Sequence, residues 1–294
     1  MRTQIVIWAT IALNAALFAA NLTVAHLSGS RAVLSQAVYS LTDLVGGILL
    51  LWGQLASARP PTHEHPFGHG KERFFWSFSA SLVTFTVAGL LVLVDSLGQL
   101  LNPQPVSHID AALAVVGLSV LVSLVGIWVT LRELDRTRTT VQNLIESSHQ
   151  GLKTIFYQDV VSIVGSVAAL GGIAAVYRTG NPVYDGLGAS VVGILLVITG
   201  LVLAAESREL LIGKAISPAE ARAILTIVER NPRVRRVREF QSMMLGPDDI
   251  LIALRVNLQD GLTTDEVETT IDEISLAVKS TYPAVRHFII EPES

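Results

Sequence analysis

Two groups of residues in this sequence have the types and spacing to hold a small cation. The first is an acid inside an apolar helix: Asp43, in the run that carries Tyr39 four residues earlier. A carboxylate in the middle of a helix of membrane-spanning length costs about 2.5–3.5 kcal/mol on insertion scales. Residues four apart share one helix face, so Tyr39 and Asp43 converge on one site. Asp159, in the stretch Thr154-Ile155-Phe156-Tyr157-Gln158-Asp159 of a later apolar segment, is a second such acid. A cation between the two acids would offset both desolvation penalties at once. The second group is the polar turn from His63 to Arg73. His63, His65 and His69 are three of the seven histidines, with Glu64 in reach. A divalent-metal site built from imidazoles is one reading of this turn, and a solvated loop is the other. Pro66 and Gly68 argue for a turn, in which the His65-to-His69 interval is no ligand pattern by itself.

The elements that position these residues follow from composition. The chain has 294 residues, of which 50% are hydrophobic and only 16% charged, with no cysteine. Mean hydropathy is +0.52. Soluble domains carry about 25% charged residues, so this is a membrane protein. Without cysteine there is neither a disulfide framework nor a thiolate site, and any ligands are carboxylate, imidazole, amide, hydroxyl or backbone groups. The net charge of −4 hides a contrast between a charge-poor first two thirds and a charged last third, the mark of a membrane domain followed by a soluble one.

Taking about 20 apolar residues per crossing, six spans are expected: Gln4–His26, Val33–Ala56, Phe75–Leu101, Ile109–Leu131, Leu152–Tyr177 and Pro182–Ala205. The first exceeds a signal-peptide core and is read as a span. Arg59, Lys71 and Arg73 follow span two, and Arg132, Arg136, Arg138 and Lys153 follow span four, while the alternate loops offer Arg31 and Arg178. The positive-inside rule then puts both termini in the cytoplasm. Within the spans, Asn14 and Asn21 read as helix–helix hydrogen-bonding groups, Gly46-Gly47 as packing, and Asp95 as a structural acid bonded to a neighbouring helix. Ser119 and Ser123 also read as packing, and the charged stretch Arg132–Lys153 as solvated helix extensions.

From Ser217 the pattern changes. Ser217-Pro218-Ala219-Glu220 caps a helix to Glu229. Val234–Leu245 and Ile250–Gln259 alternate as strands around the turn Gly246-Pro247-Asp248-Asp249. Thr263 or Thr264 opens a helix to Tyr282 with Val267, Ile271, Ile274 and Val278 at helical spacing, and Arg286–Ile290 is a final strand. The expected fold is therefore an α-helical membrane protein with six transmembrane helices, residues 1–210, and a small cytoplasmic α+β domain of α-β-β-α-β order, residues 211–294.

His65-Pro66-Phe67-Gly68-His69-Gly70-Lys71-Glu72-Arg73 between spans two and three resembles the signature loop of the cation diffusion facilitator family of divalent-metal/proton antiporters. Asn102-Pro103-Gln104-Pro105-Val106 and Leu210-Leu211-Ile212-Gly213 match further family segments in order. The resemblance implies a transport site of two ligands on each of helices two and five. It places Asp43 and Asp159 at the family's aspartates, Tyr39 at a position usually His or Asp, Ile155 where a ligand is missing, and Gln158 where some relatives carry an acid. The implied set Tyr39, Asp43, Gln158 and Asp159 is all oxygen, which favours Mn²⁺ or Mg²⁺ and tolerates Fe²⁺ more than it does tetrahedral zinc.

The resemblance further implies efflux by cation/proton antiport, zinc by family with manganese, iron or cobalt as alternatives. The metal is substrate, and no permanently bound cofactor, enzymatic activity or nucleic-acid partner is expected. It implies alternating access in a homodimer, while the compact length and absence of targeting features favour a bacterial plasma (inner) membrane. The family's tail resembles a metallochaperone fold that often binds metal, but here Arg238, Glu291 and Glu293 stand where tail ligands are expected, beside His287. Two other readings compete: a non-transporting scaffold or regulator derived from such a transporter, and a membrane metallo-enzyme built on the histidine loop.

Overall fold

The computed structural model describes residues 2–136 and 150–293; for 2–10, 83–85, 130, 133–136 and 150–159 it describes the backbone alone. The first part of the chain forms long apolar helices: α1 (Arg2–Ser28), α2 (Arg31–Ser57), α3 (Glu72–Ala80), α4 (Ala88–Leu101), α5 (Ile109–Arg136), α6 (Gln150–Thr179) and α7 (Val183–Ile212). Five of them are long and apolar enough to cross a membrane. The sixth crossing is α3 and α4 together, joined by a π-helical segment, Ser81–Val87, where a single helix was expected. There Thr86 Oγ1 reaches the Ser81 carbonyl, five residues back, at 3.5 Å. The stretch Arg132–Lys153 lies outside the described residues between 137 and 149.

What makes this bundle a membrane domain is its surface. Leu91, Val94, Leu121, Val125, Ile198 and Val202 are more than half exposed on helices with no polar counterpart there. In water such a surface would aggregate; in lipid it is the solvent-facing side. Its apolar core has Ala32, Val33, Val116, Ala169, Ile173 and Leu196 fully buried around Tyr39.

Close helix approach occurs away from where the sequence placed it. A Cβ on Gly46 would meet nothing, and one on Gly47 only the Ile11 side chain at 3.9 Å, so the Gly46-Gly47 pair is not a packing seam. One seam lies between α6 and α7, where a Cβ on Gly172 would stand 2.7 Å from the Tyr184 carbonyl oxygen and one on Gly188 3.0 Å from that of Ala168. Small residues let these two backbones touch.

The compact unit formed by residues 53–75 and 207–294 contains α8 (Pro218–Glu229), β1 (Val234–Gly246), β2 (Asp249–Leu258), α9 (Thr264–Thr281) and β3 (Val285–Glu293). Both helices start with a capping box, Ser217 with Glu220 and Thr263 with Glu266, at the N-caps the sequence indicated. The sheet order is β1-β2-β3. β1 and β2 form an antiparallel hairpin, whereas β3 runs parallel to β2, because α9 carries the chain back across the sheet. The central strand β2 buries Ile252, Leu254 and Val256 against Ile224 and Val228 of α8 and Ile274 and Val278 of α9. This is a two-layer α+β domain.

Candidate ion pathway

On α2, Tyr39 is buried within the bundle core, and Asp43, one turn further on, is half-buried. Gln158 and Asp159 lie in the first third of α6, where the described residues include backbone but no side chains. The relation between the two helices is fixed one step away. Ser166 of α6 donates its hydroxyl to Gln36 Oε1 of α2 at 3.0 Å, and both side chains are buried. Gln36 precedes Asp43 by seven residues and Ser166 follows Asp159 by seven, two helical turns in each case. The two helices run antiparallel, so both intervals extend from the contact in the same direction along the bundle. Their register therefore brings the turns bearing Asp43 and Asp159 level with each other.

Further polar contacts tie the neighbouring helices. Asn21 of α1 donates to Ser119 of α5 at 3.2 Å, as expected of an intramembrane amide. Ser123 of α5 shares a 2.7 Å hydrogen bond with Ser162 of α6, so these serines do more than pack. Asp95 pairs with Arg31 at 2.9 Å, both about one-third exposed, which fits its structural reading.

Sequence reasoning passed over Asp185, in the first turn of α7 and fully buried. Its carboxylate accepts from the Ser30 hydroxyl and from the backbone N–H groups of Arg31 and Ala32. Another helix thus supplies the acceptor for the first N–H groups of α2. An acid opening a span whose next residues include Gly186 and Gly188 was the available signal. Gln36 and Ser166 were passed over too, since one amide and one hydroxyl in apolar helices carry little signal alone.

The histidine turn is compact. Gly68 N–H donates to the His65 carbonyl at 2.9 Å and Glu72 N–H to that of His69 at 2.9 Å, and Gly68 takes φ 81°, which favours glycine. The turn brings His65 and His69 together, ring centroids 4.6 Å apart, while His63 and Glu64 are exposed. Among the described residues no three of His, Asp and Glu are grouped to hold a metal. The same turn packs on the tail: Phe67 meets the His287 ring edge-to-face at 5.1 Å, and Lys71 Nζ donates to the Leu211 carbonyl at 3.3 Å.

In the tail, Arg238 pairs with Glu293 at 3.4 Å and Arg255 with Glu291 at 3.2 Å. The positions where ligands were sought are occupied by ion pairs. His287 Nε2 stands 3.7 Å from Asp249. Burial pushes the Asp249 carboxyl up, against the opposing pull of His287 and Arg286.

Comparison with known proteins joins these elements. The cation efflux transmembrane domain family matches residues 7–212, which takes in α2, the histidine turn and α6 in full. The chain belongs to the cation efflux family. The chain is 27% identical over 239 residues to metal tolerance protein C4 of Arabidopsis thaliana, covering 80% of this chain and 52% of that one. It is 26% identical over 242 residues to the human mitochondrial proton-coupled zinc antiporter SLC30A9, covering 81% and 43%. With the cation-efflux pump FieF of Klebsiella pneumoniae strain 342 it shares 24% over 256 residues, covering 87% and 81%. The chain thus spans about half the length of the first two relatives. A MamM C-terminal domain variant in its nickel form matches the tail with 20% identity, covering 26% of this chain and 95% of that one at a TM-score of 0.25. As a family member this is a multi-pass membrane protein with a small α/β tail.

Proposed function

We propose that the protein exports a divalent metal cation from the cytoplasm in exchange for protons, with Asp43 and Asp159 as the cation-binding and proton-exchanging groups and Tyr39 and Gln158 as neutral oxygen donors. The observation that carries this reading is the Ser166–Gln36 contact, from which each acid stands two turns away along its own helix. Two acids at one level of an apolar bundle repel each other unless a cation or protons lie between them, and that mutual exclusion couples the two fluxes. The relatives named for zinc antiport and cation efflux support the same substrate class.

All four proposed donors are oxygen, so manganese, iron and cobalt compete with zinc. A weak site with retained waters still passes zinc, since transport requires that the ion leave. His65 and His69, with His63 nearby in sequence, are the candidates for a second metal site on the turn; two imidazoles would need water or a further ligand to complete it. A homodimer joined through the tail, an inner-membrane location and cytoplasmic termini complete the reading, the last supported by the basic residues after spans two and four.

The test is uptake into proteoliposomes under an imposed proton gradient, offering Zn²⁺, Mn²⁺, Fe²⁺, Co²⁺ and Mg²⁺ in parallel with Asp43→Ala and Asp159→Ala. Uptake by the native protein and none by either variant supports antiport through these acids. No uptake of any ion by the native protein leaves the scaffold reading in its place.

A further inference from the structure

Helices α2 and α6 carry the two acids, and the Ser166–Gln36 hydrogen bond joins them between those acids and the bundle end formed by loops 29–30, 102–108 and 180–182. Both residues are 2% exposed. Gln36 Nε2 is buried with no partner among the described residues. One to two turns closer to that end, Ala32 and Val33 of α2 and Ala169 and Ile173 of α6 are fully buried. In the other direction α2 stays buried through Tyr39, Ser40 and Thr42, and burial loosens at Asp43, which is half-buried, and at residues 160–163 of α6. The route from the acids to this end is therefore closed by one polar bond and then by apolar packing.

The geometry points to a gate: the Ser166–Gln36 hydrogen bond is a latch that holds α2 against α6, breaks when the bundle opens to this face, and then offers its oxygens to the water shell of the departing cation. This inference rests on the transport reading above. A purely apolar contact would also close the route, but opening it would expose only groups that water and a hydrated ion avoid. A hydrogen bond is exchanged for bonds to water at a modest net cost, so this latch holds the closed form without locking it. The unpartnered amide N–H raises the energy of the closed form and keeps the open one within thermal reach.

The test uses native protein, Ser166→Ala, Gln36→Ala and the double variant in proteoliposomes, with Mn²⁺ and Zn²⁺ flux measured with and without a proton gradient. Loss of the latch is expected to raise gradient-independent flux about 3- to 10-fold, the population shift from losing one hydrogen bond. The double variant should exceed neither single one, because the bond breaks only once. Unchanged gradient-independent flux in Ser166→Ala, which removes a single oxygen and stands in for Gln36→Ala if the latter misfolds, would overturn the gate. So would additive losses of gradient-driven uptake, which are what simple packing residues produce.

Native protein that moves no ion would sink the transport reading alone. The latch is then read by access: the chain has no cysteine, so Ser40→Cys, one turn from Gln36, gives a unique buried thiol. Its modification by a membrane-impermeant methanethiosulfonate should quicken about 3- to 10-fold on adding Ser166→Ala if the latch holds the helices. An equal rate in both backgrounds would overturn it.

Discussion

The Asp185 carboxylate accepts a hydrogen bond from the backbone N–H of Arg31 at 2.5 Å, so an acid at the start of α7 caps the start of α2. The same carboxylate takes the Ser30 hydroxyl and the Ala32 N–H. The helix that carries Asp43 thus has its start fixed by a buried carboxylate-bearing side chain of another helix.

Asp185→Ala should therefore act through folding. It leaves one hydroxyl and two N–H groups buried without their acceptor, and the expected loss is about 2–5 kcal/mol. Asp185→Asn, which keeps one acceptor oxygen, should lose less. Thermal unfolding in detergent ranks the two, and equal melting temperatures for native protein and Asp185→Ala would contradict the cap.

The Arg31–Asp95 pair should matter little. Both partners are about one-third exposed, and such pairs contribute about 0–1 kcal/mol. Asp95→Asn is expected to leave proteoliposome uptake within about twofold of native, a small effect matching that energy. Abolished uptake would instead put Asp95 in the pathway.

Selectivity should follow donor chemistry. Tyr39→His replaces a phenol with an imidazole one turn from Asp43, and nitrogen suits zinc better than manganese. Uptake ratios of Zn²⁺ to Mn²⁺ are expected to rise roughly tenfold, the effect of about 1.4 kcal/mol of differential binding. A ratio that stays constant would remove Tyr39 from the ligand set.

Gly70 tests what the histidine turn is built for. A Cβ there would lie 2.5 Å from the Leu245 carbonyl oxygen and 3.1 Å from Gly246 Cα, both backbone atoms. Gly70→Ala should cost about 1–3 kcal/mol through overpacking, read as earlier unfolding of the full-length protein in detergent.

The tail should respond to pH through Asp249. Its carboxyl is raised by burial, with His287 and Arg286 pulling the other way. A folded pKa above the unfolded value of 3.8 means that its stabilising contribution is present below that value and is lost as pH rises through the folded one. Asp249→Asn should thus raise the melting temperature near pH 7 and leave it unchanged near pH 3. An equal shift at both pH values would assign the effect to shape instead of charge.

Much of the architecture was legible in the chain order. The spans follow from apolar runs, because each backbone polar group in lipid must be satisfied within its own helix, and that leaves a local, readable signal. The tail helices announced themselves through Ser217 and Thr263, whose caps are also local. Strand order did not: only the return path of α9 makes β3 parallel to β2.

At the site, the sequence by itself determined which residues are expensive enough in a membrane to need a reason, above all Asp43 and Asp159. Tertiary structure decided what no run of letters carries: that Asp185 caps α2, that Asp95 meets Arg31, that glycines 172 and 188 form a seam that Gly46-Gly47 does not, and that Gln36 finds Ser166. A charge in an apolar helix is a conflict within one segment, visible wherever it occurs. A hydrogen bond between two ordinary polar side chains 130 positions apart exists only once packing has set the register of both helices.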